Sequence, residues 1–166
     1  MGDPLLNADR DTASYTAPNT GPDAGPDTGP DTGPDAGRTR AAVLGYVEAL
    51  NAHDADAIAA RVSEDFVNEH TSAMGRNVTG RAGYRANLTV FLADFADLRY
   101  DVEDLVVEDD RAALAYLMSF RPAAPGAGKV RVRGVFRFRV GPDGLIAHRV
   151  DYWDSGEVRR QLDPPA

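Results

Sequence analysis

The stretch IAHRVDYWDSGE, residues 146–157, gathers side chains that could do chemistry. It sets His148, Arg149, Asp151, Tyr152, Trp153 and Asp154 within seven positions, and Trp153 is the one tryptophan of the chain. Alternate residues of a strand share a face, with Cα atoms about 6.5–7 Å apart, so Arg149, Asp151 and Trp153 point together. A carboxylate there can give or take a proton. Apolar surroundings raise its pKa and a neighbouring guanidinium lowers it. Which of the two prevails decides between a general acid and a general base. The plainer alternative is an ion pair with Arg149 or another arginine. Alternation alone leaves the inner face open, because Ile146, Val150 and Tyr152 make the opposite face equally apolar.

The elements that must position these residues run from about Arg40 to Leu162. RAAVLGYVEALNAHD spaces Val43, Leu44, Val47 and Leu50 helically, with Tyr46 beside the stripe. Asp54 can cap a short second helix, ADAIAARVS. DFVNEHT is a brief strand, and GRNVTGR a loop punctuated by Gly75 and Gly80. AGYRANLTVFLADF follows as a third helix, with Tyr84, Leu88, Phe91, Leu92 and Phe95 on one side as core. The period then changes to two. LRYDVEDLVVED, RAALAYLMSFRP, KVRVRGVFRFRV and GLIAHRVDYWD are four successive strands joined by turn-forming connectors. Helices first and a meander afterwards predict an α+β fold with helices on one face of a curved sheet.

The third strand puts Val130, Val132, Phe136 and Phe138 on one face and Arg131, Arg133, Arg137 and Arg139 on the other. The arginine row is either a nucleic-acid patch or a surface paired with the acids of DVEDLVVEDD. Cross-strand pairing explains the alternation better. Asp154 fits the turn after the last strand, and His53 an interhelix turn.

Composition narrows the function. Residues 21–36 are four tandem tetrapeptides, GPDA, GPDT, GPDT and GPDA, a composition that cannot bury apolar area. Residues 1–39 therefore form an expected disordered acidic tail, with seven acids against two arginines, and residues 40–166 a single domain. Such a tail repels phosphate, which argues against nucleic acid and anionic membrane as partners. No apolar run approaches the roughly 20 residues of a membrane span, and the N-terminus does not resemble a signal peptide. Without cysteine there is no thiol nucleophile or thiolate metal site, and His53, His70 and His148 lack metal-binding spacing. A soluble, cytoplasmic domain without metal or cofactor is the expectation.

Two stretches carry a family resemblance. YVEALNAHDADAI, residues 46–58, resembles the first helix of ketosteroid isomerases, whose tyrosine is an oxyanion-hole donor. GVFRFRVGPDGLIAHRVDYWD, residues 134–154, resembles the last hairpin of limonene epoxide hydrolases and SnoaL-like polyketide cyclases. Together with the element order, they resemble the nuclear transport factor 2-like superfamily. The resemblance implies a cone-shaped, curved antiparallel sheet with three N-terminal helices on its concave face.

It also implies roles. Tyr46 matches the oxyanion-hole tyrosine, and Asp151 the acid/base carboxylate of the hydrolases and cyclases. Counted on without gaps, His70 stands where the isomerases keep their aspartate base, and Gly134 where they keep a second oxyanion donor. The hydrolase Arg-x-Asp is replaced by Ala115-Tyr116-Leu117. The resemblance makes Arg149, Asp151 and Trp153 the pocket-lining face, with Phe136 and Leu117 as further wall. His148 and Tyr152 then lie outside, against a second copy in a homodimer formed through the sheet. The implied ligand is a small, apolar, oxygenated molecule such as a polyketide, steroid or terpenoid. The reaction is isomerisation, cyclisation or hydrolysis, with Asp151 and His70 exchanging protons. The alternative is a non-catalytic ligand-binding or protein-interaction domain of the same fold.

Overall fold

The computed structural model describes residues 34–123, 126 and 128–162. Most of the expected tail lies outside the described residues. The first helix, α1 (Pro34–Ala52), starts six residues before Arg40, inside the last GPDA repeat. Proline is tolerated in a first helical turn, where its missing N–H costs nothing. This early turn is held by burial of Ala36 and Thr39 and by the Thr39 hydroxyl, which donates to the Asp109 carbonyl at 2.8 Å. Val43, Tyr46, Val47 and Leu50 form the buried face, and Leu44 turns outward.

Helix α2 (Ala55–Ala59) begins at Asp54, whose Oδ1 accepts from the amides of Asp56 and Ala57 at 3.0 Å each. Strands β1 (Val62–His70) and β2 (Val78–Thr79) precede α3 (Arg81–Asp94), which buries Tyr84 and Leu88. The meander follows as β3 (Phe95–Glu108), β4 (Arg111–Pro122), β5 (Val130–Val140) and β6 (Ile146–Trp153). A helix that the sequence reading did not foresee, α4 (Ser155–Leu162), closes the described chain.

The six strands form one curved, unclosed sheet in the order β2-β1-β6-β5-β4-β3. It is not wholly antiparallel, because β1 runs parallel to β6, with His70 beside Asp151. A long crossover through α3 and the meander separates these two strands, and such a connection permits parallel pairing. On the inner face, Leu114, Tyr116 and Phe120 of β4 meet Val130, Phe136 and Phe138 of β5 beneath α1. Each of these side chains buried from water stabilises the fold by about 1.5–3 kcal/mol.

The outer face carries the arginine row. Arg133 Nε donates to both carboxylate oxygens of Glu103 at 2.9 Å, reaching across β4. That is the row's one ion pair among the described residues, since Arg139 sits opposite Arg111. No described helix is long and apolar enough to cross a membrane.

Candidate active site

Between α1, α3 and the sheet, one guanidinium organises a polar cluster inside an otherwise aromatic interior. Arg149 is 5% exposed, and its guanidinium carbon lies 4.8 Å from the ring centre of Phe136 and 5.6 Å from that of Tyr46. Its Nε donates to Asn68 Oδ1 at 2.9 Å, one terminal nitrogen donates to the Tyr46 hydroxyl, and the other lies 3.4 Å from His70 Nε2. The Tyr46 hydroxyl also bonds the Tyr84 hydroxyl. Two hydroxyls sharing one hydrogen leave a single hydroxyl hydrogen free to donate.

Asp151, also 5% exposed, is held on one oxygen and faced on the other. Tyr116 donates its hydroxyl to Oδ1 at 2.6 Å, and His70 Nδ1 faces Oδ2 at 3.3 Å. Both neighbours of His70 Nε2 are donors, Asn68 Nδ2 at 3.2 Å and the Arg149 terminal nitrogen. Nε2 is therefore an acceptor, and in the neutral ring the hydrogen sits on Nδ1, facing the carboxylate. The buried Nδ1 meets no hydrogen-bond geometry of its own, so it is a polar atom without a settled partner.

Sequence-local devices hold this geometry. The Thr71 amide donates to the Asp151 carbonyl at 3.0 Å and the His70 amide to Asn77 Oδ1 at 2.8 Å, pinning the end of β1 against β6. Gly75 packs so closely on His70 that a Cβ there would lie 2.1 Å from the His70 Cβ.

The phenols are donors rather than bases. Desolvation holds the pKa of Tyr46 well above 10.0 although Arg149 pulls it down, and desolvation raises Tyr84, Tyr100 and Tyr116 as well. For Arg149, burial opposes the charge, but Tyr46, Tyr84 and Asp151 more than offset that, leaving its pKa raised. Among the described residues no group of three metal-ligating side chains converges.

Tyr46, His70, Asp151, Arg149 and Phe136 thus meet in one interior. Trp153 is partly buried against the core on the same face of β6. Leu117 is misplaced in the sequence reading: alternation on β4 turns it outward with Ala113 and Ala115, and Tyr116 takes the inner position. The plainer alternative, an ion pair between Asp151 and Arg149, does not form: no carboxylate oxygen of the described residues lies within 4.0 Å of that guanidinium. Outside the cluster, His148 Nε2 lies 3.1 Å from Glu69 Oε1.

Tyr116, Tyr84 and Asn68 were missed. One signal pointed to Tyr116: Gly134 interrupts an alternation of large inner residues, as glycine does where another group approaches closely. A Cβ at Gly134 would lie 2.3 Å from the Tyr116 hydroxyl oxygen. The position that lacks a donor of its own therefore makes room for one from the next strand.

Residues 43–149 match the SnoaL-like domain family, and the chain belongs to it. A candidate SnoaL-like polyketide cyclase from Jannaschia sp. CCS1 superposes with a TM-score of 0.71 at 20% identity, covering 83% of this chain and 100% of that one. SalBIII, an epoxide hydrolase/cyclase-like enzyme in pyran ring formation in the polyether salinomycin, gives 0.66 at 21% identity over 74% and 95%. A candidate ketosteroid isomerase from Kribbella flavida DSM 17836 gives 0.59 at 26% identity over 80% and 85%. These similarities show the nuclear transport factor 2-like cone. No curated protein sequence matches the chain.

Proposed function

We propose that the domain binds a small, largely apolar, oxygenated molecule of polyketide, steroid or terpenoid type and transforms it by acid/base chemistry without a cofactor. The observation that carries this is the Asp151 carboxylate, buried and held by Tyr116 on one oxygen while His70 Nδ1 faces the other. In this reading Asp151 takes a proton from the substrate and exchanges it with His70. The free hydroxyl hydrogen of the Tyr46–Tyr84 pair meets the developing enolate oxygen, backed by the charge of Arg149. The named activities of SalBIII and the Kribbella protein support this class of chemistry.

The test is Asp151→Asn against a panel of hydrophobic enones, epoxides and β-keto esters. The wild type should turn over at least one, and the variant should lose about 100- to 10,000-fold in kcat. An unchanged rate removes Asp151 as the acid/base. A second reading, non-catalytic binding, is favoured by the way Arg149, Asn68, Tyr46 and Tyr84 satisfy one another, and by the outward Ala115 and Leu117 where the hydrolase pair would stand. It predicts thermal shifts with such ligands and turnover of none.

The same reading includes a homodimer through the sheet. Ala115, Val135 and Tyr152 lie side by side on the outer face, and Val135 and Tyr152 are 38% and 40% exposed. Sedimentation of a monomer at micromolar concentration would exclude it.

A further inference from the structure

Arg149 is a buried cation without an ion pair. A charge removed from water is costly unless an opposite charge or strong hydrogen bonds replace the lost hydration. Here the partners are an amide oxygen, a phenol and an imidazole, all neutral groups. A guanidinium carries five N–H bonds in a planar fork. Three are directed at these partners, leaving one N–H on each terminal nitrogen unspent among the described residues. The rings of Phe136, Tyr46 and Tyr84 lie against the guanidinium, and of these three side chains only Tyr46, through its hydroxyl, accepts one of its hydrogens.

N–H bonds on the two terminal nitrogens of a guanidinium can meet the oxygens of a carboxylate. The weakest existing contact is the one to His70, at 3.4 Å. An oxyanion bonded to the same nitrogen would sit at about 2.7–2.9 Å. His70 is also the most accessible member of the cluster, with its side chain 17% exposed.

We propose that Arg149 holds a carboxylate of the substrate through its two free N–H bonds, so that the interior selects acidic over neutral molecules of the same skeleton. The proposal rests on the interior being the substrate site and narrows the ligand to an apolar acid. Bound in this way, the acid gives Arg149 a direct charged partner, which Asp151 does not provide, and leaves its carbon frame toward Asp151 and the Tyr46–Tyr84 pair.

The experiment titrates the full chain by calorimetry with 2-naphthoate and with 2-naphthamide, equal in shape and different in charge. The wild type should bind naphthoate at least tenfold more tightly, and Arg149→Met should lose that preference. Because Arg149→Met can disturb folding, a second measurement uses the wild type alone. Naphthoate should shift the amide resonances of Asn68, His70 and Asp151 and leave those of Arg137 and Arg139 on the outer face unmoved. Equal affinity for acid and amide, binding of neither, or shifts confined to the outer arginines overturns the proposal. Asp151→Asn separates it from the acid/base reading. A variant that loses turnover yet keeps the naphthoate preference supports both, and a wild type that prefers naphthoate but turns nothing over loses only the chemistry.

Discussion

Tyr116 reaches Asp151 by lying across Gly134. The two residues are directly paired on neighbouring strands, and the tyrosine ring fills the space that a side chain at position 134 would occupy. Its hydroxyl passes over β5 and meets Asp151 Oδ1 on β6 at 2.6 Å. A glycine in the middle of a strand weakens the strand, and here the compensation is a hydrogen bond spanning three strands.

Gly134→Ala should therefore act through Tyr116. The new methyl would lie 2.3 Å from the Tyr116 hydroxyl oxygen and 2.8 Å from the Tyr152 carbonyl oxygen, and the latter is backbone that cannot swing away. Overpacking of this kind costs about 1–3 kcal/mol. Tyr116→Phe keeps the ring and removes the donor, and leaving a buried carboxylate short of one partner costs about 1–3 kcal/mol. Denaturant unfolding should show both losses. Full stability in Gly134→Ala would mean that the sheet relaxes around the methyl.

How much of this was legible follows from what repeats and what does not. The inner row of β5 and the buried face of α3 were readable because burial follows the backbone period. The face of β6 was not, since Val150 is as buried as Asp151. Tyr84 and Tyr116 looked like core because they are core; their donor roles depend on which strand or helix lies opposite. Leu117 went wrong by a single position, and in a strand that is the other face. The parallel pairing that puts His70 beside Asp151 has no local signature. The start of α4 did have one, in the Asp154-Ser155-Gly156-Glu157 sequence, a capping-box pattern.

Gly75→Ala should unseat His70. A methyl 2.1 Å from the His70 Cβ cannot be accommodated, and the loop has little freedom to retreat. The Gly75 amide donates to the Ser72 carbonyl at 2.9 Å, and Asn77 Oδ1 takes the His70 amide. Displacement by about 1 Å costs on the order of 100-fold in rate for a group that handles protons. With a substrate from the panel, kcat should fall by that factor while KM changes little. An unchanged kcat would remove His70 from the chemistry.

Burial of four phenols gives the fold an alkaline limit. Desolvation raises the pKa of Tyr46, Tyr84, Tyr100 and Tyr116 above 10.0 in the folded chain. Above pH 10 the unfolded chain loses phenolic protons that the folded chain keeps. Stability from these groups is thus complete below pH 10 and falls as pH rises toward the folded values. Absorbance at 295 nm should show that four of the six tyrosines resist ionisation between pH 10 and 11 until the chain unfolds. Smooth titration of all six with the fold intact would contradict this.

Asp154 ends β6 and starts α4, so its loss should be felt at both. Its Oδ1 accepts from the Gly156 amide at 2.7 Å, and its Oδ2 from Arg160 at 3.1 Å. The helix is otherwise anchored by buried Val158 and by Gln161, which bonds the Arg131 amide at 2.9 Å and carbonyl at 2.7 Å. Asp154→Ala should lower the melting temperature through the lost cap. The frayed first turn should expose Trp153 next to it and red-shift its emission. The Gly156 amide, then Arg160, holds the Asp154 carboxyl below its ordinary 3.8. A lowered folded pKa contributes stability above the unfolded value and loses it as pH falls through the folded one. The gap between the wild-type and variant melting temperatures should therefore narrow below about pH 4. A gap that stays constant from pH 7 to pH 2 would show that the carboxylate charge plays no part in holding α4.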